Sequence, residues 1–174
     1  MPQIQINKLN NANIYSGSNS LLGKAEEITL PAIKGKHNDH KALGMIGDIE
    51  LPNGFEKMTG KIRWNSVYEE LIEEFGSPYV TKNVQVRSSL ETWDSSGKIS
   101  EVSVVAFMAL RFKDVLPPIT IKQNDNSDLE SEYSCTYYRL EIDGDRQIEI
   151  DFFTNMFFVG DSDMLENYRN NLGI

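Results

Sequence analysis

Residues 82–113 decide the fold, and they read KNVQVRSSLETWDSSGKISEVSVVAFMALRFK. In the first part, apolar Val84 and Val86 alternate with polar residues, which is the period of two that a half-buried strand requires. Every second residue from Val102 to Phe112 is apolar in the same way. Between the two parts lies Asp94-Ser-Ser-Gly97, a turn sequence with a glycine available for positive φ. The stretch therefore predicts one long antiparallel hairpin.

Sequence patterns typical of strands and turns continue on both sides of this hairpin. A second hairpin is predicted from Glu132–Ile142, the turn Asp143-Gly144 and Arg146–Val159, because both central residues of a type I′ turn need positive φ. Shorter strands are predicted at 12–15, 24–30, 45–51 and 55–64. Three segments are predicted to be irregular, at 15–23, 34–44 and 115–128.

Two amphipathic helices complete the pattern. Ser66 and Glu69 have the spacing of a capping box, and the helix that follows is predicted to end at Gly76. A C-terminal helix is predicted over 161–173, opening at Asp161 or Ser162 and ending at Gly173. We therefore expect a single domain, 1–174, that is mainly β, with two antiparallel sheets, one flanking α-helix and the C-terminal helix.

Length and charge exclude several classes of protein. The 174 residues suffice for a real core, and the longest apolar run, Val104–Leu110, is far shorter than the ~20 residues of a membrane helix. The N-terminus has no apolar segment of a secretory signal, and the lone Cys135 cannot form an internal disulfide. The net charge is −9, and the whole acidic excess lies in 88–174. DNA binding is disfavoured because it requires clustered lysine and arginine.

The clusters of potentially reactive groups all have simpler structural explanations. His37-Asn-Asp39-His40 carries metal-ligating residue types but lies among lysines, which favours a solvated loop. The carboxylates from Asp143 to Asp151 do not have the spacing of a calcium loop, and a tight turn explains Asp143-Gly144. Cys135 is expected to be a packing residue. We predict no catalytic residue, no metal and no cofactor. The aromatic-rich strands, with more apolar surface than one small core requires, are typical of subunit interfaces.

The order of the sequence motifs resembles a known family. The pieces are Glu27-Ile-Thr-Leu-Pro31, Gly44-Met-Ile-Gly47-Asp-Ile-Glu-Leu51, the helix Tyr68–Gly76, Tyr137-Tyr-Arg-Leu-Glu-Ile-Asp-Gly144, and the closing stretch 148–173 with Ile148-Glu-Ile-Asp151. Together they are similar to the major tail tube protein of contractile-tailed bacteriophages, within the superfamily that includes type VI secretion tubes. The segment 115–128, with its Pro117-Pro118, departs from the family pattern.

The resemblance implies a fold and a role. The fold would be a β-barrel-like sandwich, and six copies would form a ring by continuing one sheet across subunits. Rings would stack into the inner tube of a contractile tail, a conduit for DNA during ejection that does not bind DNA specifically. The partners would be the tail sheath protein, the baseplate and the tail terminator, in a virion tail assembled in the bacterial host cytoplasm. The role would be structural, without enzymatic activity or membrane insertion. Copies that each carry −9 predict an acidic bore.

Two sets of site residues follow from this reading. The loop 36–47 is the candidate contact with the next subunit or the next ring, through its apolar tip Ala42, Leu43, Gly44, Met45 and Ile46, which would promote aggregation if left bare. The candidates that face the lumen are Gln85, Arg87, Ser89, Glu91, Glu101 and Ser103. Their alternative is ordinary solvent exposure on the outer wall.

Other functions are open at this point. The nearest is the tube of a phage-tail-like bacteriocin or of a type VI secretion apparatus. A remote alternative is a small β-sandwich glycan-binding module or hydrolase, which predicts a monomer with an aromatic and carboxylate pocket. The tube reading predicts self-association instead.

Overall fold

The computed structural model describes residues 4–174, and in this range the chain forms thirteen strands and two helices. The elements are β1 (Ile6–Ser16), β2 (Asn19–Ser20), β3 (Ala25–Thr29), β4 (Gly35–His40), β5 (Ile49–Phe55), β6 (Met58–Trp64), α1 (Glu69–Phe75), β7 (Lys82–Asp94), β8 (Gly97–Phe112), β9 (Ile119–Thr120), β10 (Asp128–Ile142), β11 (Asp145–Asp151), β12 (Met156–Val159), β13 (Ser162–Asp163) and α2 (Glu166–Leu172).

The hairpin predicted at 82–113 is confirmed as β7 and β8, which pair antiparallel along their whole length. The turn is closed by Asp94, whose carboxylate accepts hydrogen bonds from the backbone N–H of Ser96 at 2.7 Å and from its hydroxyl at 2.5 Å. Gly97 has φ of 120°, a conformation that an L side chain rarely adopts. The predicted positive-φ glycine is therefore in place.

Eleven strands form one branched antiparallel sheet, with the order β13-β12-β11-β10-β8-β7-β1-β2 along its main path. The branch is at β10. Its residues Leu129–Cys135 pair with β6, its residues Tyr137–Ile142 pair with β11, and β8 runs along the other side. β3 pairs with β6, so β3 and β6 form a second layer. The predicted mainly β sandwich with antiparallel sheets and two helices is confirmed, and the strand order does not close into a barrel within residues 4–174.

The core lies between these layers. Tyr133 connects them because its hydroxyl donates a hydrogen bond to the Thr29 carbonyl oxygen at 2.9 Å and contacts the Met108 sulfur at 3.7 Å. The ring lies so close to Gly60 that a β-carbon there would be 2.4 Å from the hydroxyl oxygen. Helix α1 closes one end of the core through Phe75, whose ring lies 4.4 Å from that of Phe112, centroid to centroid.

The two helices are shorter than predicted. α1 begins at Glu69, and its N-cap residue is Tyr68, with no hydrogen bond from a capping side chain, so the capping box at Ser66 is wrong. The reason is that the Tyr68 backbone is extended and the Tyr68 hydroxyl donates a hydrogen bond to the side-chain oxygen Oδ1 of Asn65 at 2.7 Å. The end of α1 at Gly76 is confirmed.

The helix predicted over 161–173 covers only Glu166–Leu172. Ser162 and Asp163 instead form β13, which pairs with β12. The Asp163 carboxylate accepts the Leu165 N–H at 3.0 Å and is bound by Arg169, which holds the chain in a turn before the helix begins. The predicted end at Gly173, with φ of 72°, is confirmed.

Two predicted strand boundaries also change. The strand predicted over Arg146–Val159 is interrupted by a turn at 152–155, after which β12 pairs back on β11. The Asp151 carboxylate accepts the Phe153 N–H at 2.9 Å, and Asn155 has φ of 52°, so local side-chain chemistry sets the turn. The segment 34–44, predicted to be irregular, contains β4, which pairs with β5 and with no other strand of residues 4–174.

Candidate functional site

The hairpin of β4 and β5, with the tip that joins them, is called the arm here and comprises residues 35–55. Its two strands pair with each other and with no other strand in the described range. Every residue from 34 to 54 is exposed. The internal ion pairs, Lys41 with Asp48 at 2.9 Å and His37 with Glu50 at 4.0 Å, are exposed as well, so they contribute little stability. The arm is therefore packed on the subunit only at its base among the described residues, where the Phe55 ring lies 4.9 Å from that of Phe157, and the rest projects into solvent.

The predicted contact residues form the tip of the arm. Leu43 and Ile46 are fully exposed, at 104% and 110% of their reference areas, and Met45 is 37% exposed. Within the tip, the Met45 N–H donates a hydrogen bond to the Ala42 carbonyl oxygen at 3.2 Å. The two large aliphatic side chains at the end of this hairpin form an exposed apolar surface, and its exposure to water is unfavourable.

The six lumen candidates lie on one surface, called the polar face here. It is the side of the sheet opposite the core, along β1, β7, β8, β10 and β11. The strand register places Lys8, Glu91 and Glu101 in one row, and Asn10, Ser89 and Ser103 in the next. Gln85 and Arg87 continue this surface, followed by Phe107 and Val105 on β8.

Hydrogen bonds join the candidates at the hairpin end of the polar face. Ser89 donates a hydrogen bond to the Glu101 carboxylate at 2.6 Å, and the Lys98 ammonium lies 2.6 Å from Glu101 and 3.6 Å from Glu91. These hydrogen bonds from Lys98 and Ser89 lower the pKa of Glu101. Glu91 is buried, at 8% exposure, and accepts the Trp93 indole N–H at 3.0 Å. The carboxylates here are thus held in fixed positions.

A second cluster lies further along the same face, around Glu149, which is 7% exposed. Its carboxylate accepts the Tyr137 hydroxyl at 2.8 Å and an Arg146 N–H at 2.8 Å. Burial alone would raise the pKa of Glu149, but the hydrogen bonds from Arg146 and Tyr137 outweigh it and the pKa is lowered. Burial and the neighbouring Glu149 together raise the pKa of Tyr137 to about 12. The cluster therefore holds a charged carboxylate and a neutral phenol.

Three arginines of the polar face lie over aromatic rings. Arg146 lies 4.0 Å from the ring centre of Phe158. The corresponding distances are 5.6 Å from Arg87 to Tyr15 and 5.9 Å from Arg139 to Phe107. Each guanidinium is within the range of a cation–π interaction, so its charge is partly satisfied by the protein itself.

The charges of the polar face are nearly balanced. The cationic side chains are Lys8, Arg87, Lys98, Arg111, Arg139 and Arg146, and the anionic ones are Glu91, Glu101, Glu130, Glu132, Glu141, Glu149 and Asp151. Most of the net charge of −9 therefore lies off this face, and the acidic bore that the sequence predicted stays a prediction. Arg139 and Arg146, together with the rings of Phe107 and Phe158, belong to this face and were not among the sequence candidates. Simple alternation from Glu149 would place Arg146 on the core side, and the register shift between the pairs Leu140–Ile148 and Glu141–Arg146 brings it onto the polar face.

Reactive groups are sparse in the described part of the chain. Among residues 4–174, no group of three or more histidine, cysteine, aspartate or glutamate side chains could hold a metal ion. The Cys135 thiol donates to the Tyr137 carbonyl oxygen at 2.9 Å, and burial raises the pKa of the thiol to about 12. The thiol is therefore protonated at neutral pH and is a poor nucleophile.

Two edges of the sheet, at β1 and β3, have no strand partner over most of their length among the described residues. Along Ile6–Ile14, β1 pairs in this range with β7 alone, because β2 reaches only Tyr15 and Ser16. The other side of β3 has no strand partner in the described range. The sequence had predicted a strand at 12–15 only, although the alternation of Ile4, Gln5 and Ile6 was a signal for the longer β1. An unpaired edge offers backbone donors and acceptors to another chain.

Open edges, an uncovered arm and a face of paired charges are typical of a structural β protein that assembles with other chains. The family model for "Phage tail tube protein FII" matches residues 6–173, and the chain belongs to this family. It is also 30% identical, over 175 residues, to the tail tube protein of Escherichia phage P2, with 96% of this chain and 97% of that protein covered. The chain is thus a structural component of a phage tail tube, in the virion tail. No helix in residues 4–174 is long and apolar enough to span a membrane.

Proposed function

We propose that this chain builds the inner tube of a contractile tail, as six-membered rings that stack into a hollow cylinder. The observation that carries the proposal is the family match across nearly the whole chain. The relative is named a tail tube protein, and the open edges and bare arm tip of this chain are the surfaces that such an assembly would cover. In this proposal all 174 residues act as one tube domain, and the loop 36–47 contacts a neighbouring subunit.

The ring would close by continuing the sheet from copy to copy through the open edge of β1. If each copy gives four strands, about 24 strands at ~4.8 Å spacing and ~40° tilt give a backbone diameter of about 48 Å. About 38 Å remains after roughly 5 Å of side chain on each wall, which is wide enough for a DNA duplex. Closure would also remove the exposed edges that otherwise promote aggregation.

The polar face would line this bore, with the candidates Gln85, Arg87, Ser89, Glu91, Glu101 and Ser103 among its residues. Proteins bind DNA through lysine and arginine that displace phosphate counterions. Here Lys98 pairs with Glu91 and Glu101, and Arg146 pairs with Glu149 over the Phe158 ring. Because these cations are already paired, DNA would pass without adhering. The role is structural rather than enzymatic, and the partners are further copies, the tail sheath, the baseplate and the tail terminator.

Electron microscopy tests the assembly. The purified protein is incubated with and without isolated tail baseplates, which supply a nucleus, and is imaged in negative stain and in end view. Hollow tubes with sixfold end views are expected. Absence of tubes in both samples, or end views of another symmetry, would contradict the proposal.

Cysteine labelling tests the lining. Ser103→Cys is expected to react with a small maleimide in intact tubes and to resist a maleimide attached to a polymer too large to enter the bore. Tyr79→Cys, at a side chain that is 91% exposed, is the comparison position. If the polymer labels Ser103→Cys in tubes as fast as in subunits, the polar face does not line the bore.

A further inference from the structure

A cleft on the opposite side of the sheet from the polar face has the properties of a receptor for an apolar hairpin tip. Its floor is formed by β1, β7 and β8 and its wall by β3 and the loop that precedes it. Its volume is about 300 Å³, and its apolar lining includes Leu9, Ile14, Leu22, Ile28, Val86 and Val104. Leu9 and Leu22 are 58% and 72% exposed, so this part of the core surface is uncovered.

The cleft is flanked by both open edges of the sheet. The unpaired side of β1 and the unpaired side of β3 both border it, so backbone donors and acceptors surround an apolar floor. The tip of the arm supplies the complementary elements. It carries two exposed aliphatic side chains, Leu43 and Ile46, on a backbone with few internal hydrogen bonds.

The size of the cleft agrees with this match. A cavity of about 150 Å³ accommodates a six-carbon benzene ring. The cleft has twice that volume, which suits the four-carbon side chains of Leu43 and Ile46 together. Glu26 and Glu27 stand at the rim of the cleft, where they pair with Arg63 at 3.4 Å and 3.0 Å, and Lys41 beside the tip pairs with Asp48 at 2.9 Å. All of these ion pairs are exposed, so Lys41 can exchange Asp48 for a rim carboxylate at little cost.

A second apolar cleft, of about 500 Å³, is a weaker match. It lies between the turn at 152–155 and α2, with Phe152, Leu165 and Tyr168 in its lining. One of its walls is the base of the arm itself, at Asn53, Gly54 and Phe55. It is not bordered by β1 or β3, so it offers a tip fewer open backbone groups.

We propose that the arm tip of one copy inserts Leu43 and Ile46 into the cleft between β1 and β3 of a second copy. This inference rests on the proposed function, because it names the receptor surface for the arm within the tube. The proposed contact is heterologous, because the tip of each copy lies in the cleft of the next copy. Heterologous contacts generate rings and open stacks.

Disulfide cross-linking in assembled tubes tests the pairing. The double variant Leu43→Cys/Leu22→Cys places one thiol on the tip and one on the cleft of each copy. The native Cys135 is buried and leaves the background low. Under mild oxidation, this variant is expected to give a ladder of covalent oligomers on a denaturing gel, at least tenfold stronger than Leu43→Cys/Tyr168→Cys, which probes the second cleft. A ladder no stronger than that of Leu43→Cys alone, or a preference for Tyr168→Cys, would overturn the proposal.

A second variant makes the test independent of the cysteines. Leu22→Glu puts a charge on an exposed cleft residue, so the urea midpoint of the subunit should not change while the tube yield falls at least tenfold. Unchanged tube yield would overturn the inference. Wild-type protein is imaged in parallel: failure of wild type to form tubes counts against the proposed function, whereas wild-type tubes without the Leu22 dependence count against the cleft alone.

Discussion

Two antiparallel hairpins of this chain behave in opposite ways. The hairpin of β7 and β8 buries alternate residues along its half away from the turn, including Val84, Val86 and Met108, in the core. The arm, formed by β4 and β5, buries none from 34 to 54, and its most exposed apolar side chains, Leu43 and Ile46, are at its tip. The first hairpin is stabilised by its own subunit. The second has a register, a few exposed ion pairs and one contact at its base, where the Phe55 ring packs on Phe157.

Under the proposed function, we expect this difference to separate residues that fold the subunit from residues that assemble it. An isolated two-stranded hairpin is marginally stable in water unless another surface covers it. In a tube protein, the covering surface is available in further copies. We therefore expect changes in the β7–β8 region to alter the free energy of unfolding, and changes at the arm tip to alter assembly.

The largest expected effect is the loss of tubes in Leu43→Asp. A carboxylate at the fully exposed tip would have to be buried on assembly, and burying an unpaired charge is strongly unfavourable. Circular dichroism should show a folded subunit, with the free energy of unfolding changed by less than about 0.5 kcal/mol. Leu43→Ile is the control and should keep its tubes. Normal tubes of Leu43→Asp in negative-stain micrographs would contradict the role of the arm tip in assembly.

The next effect is the destabilisation of the subunit by Gly60→Ala. The new methyl group would lie 2.4 Å from both the Tyr133 hydroxyl oxygen and the Thr29 carbonyl oxygen, so the layers must move apart. We expect a loss of about 3 kcal/mol in urea denaturation. The matched control is Gly47→Ala in the arm, where no atom lies within 4 Å of the new methyl group. Equal stabilities of the two variants would contradict the assignment of the core.

A smaller effect is expected for Glu149→Gln, which removes a buried charge bound by Arg146 and Tyr137. The loss should be about 1–2 kcal/mol at pH 7. Because the folded-state pKa of Glu149 is lowered below its usual value of 4.5, its contribution is present above pH 4.5 and is lost as the pH falls through the folded-state value. Urea curves from pH 7 to pH 3 should therefore lose less stability on acidification in Glu149→Gln than in wild type. Asp145→Asn, exposed at a turn, is the control, and a parallel acid loss in all three proteins would refute the role of Glu149.

The smallest effect on folding is expected for Glu101→Gln at the exposed end of the polar face. Lys98 retains Glu91 as a partner, so the urea midpoint should not change measurably. Each copy loses one negative charge from a nearly balanced surface, and tubes should therefore bind labelled duplex DNA a few-fold more strongly at low salt. Fluorescence anisotropy measures this. Unchanged DNA binding would contradict the hypothesis that ion pairs prevent the cations of the polar face from binding DNA phosphates.

The elements that were predicted correctly are those set by residues close to one another in the chain. Both long hairpins were predicted because alternation and the turns at Asp94–Gly97 and Asp143-Gly144 fix register over short distances. The predicted start of α1 was wrong because the Asn65 side chain binds the Tyr68 hydroxyl and the Tyr68 backbone stays extended. A capping-box pattern carries no information on this competing contact. Strand β4 was missed because its pairing depends on β5 rather than on apolar alternation.

The candidate surfaces were predicted unevenly for the same reason. The tip residues Ala42–Ile46 were identifiable as an apolar run in a polar loop. The cation–π contacts of Arg139 and Arg146 and the cleft between β1 and β3 arise from strands far apart in sequence, so no local pattern contains them. Net charge likewise gave no information on which face carries the acidic excess.

Hydrogen–deuterium exchange tests the central claim most directly, because it reads both hairpins in one experiment. Dissociated subunits and assembled tubes of the wild-type protein are labelled under the same conditions. We predict that amides at 41–48 exchange fast in the subunit and become protected in the tube, whereas the amides of β7 and β8 that pair within the subunit are protected in both. Fast exchange at 41–48 in intact tubes would show that the arm tip stays bare after assembly, and would contradict the account.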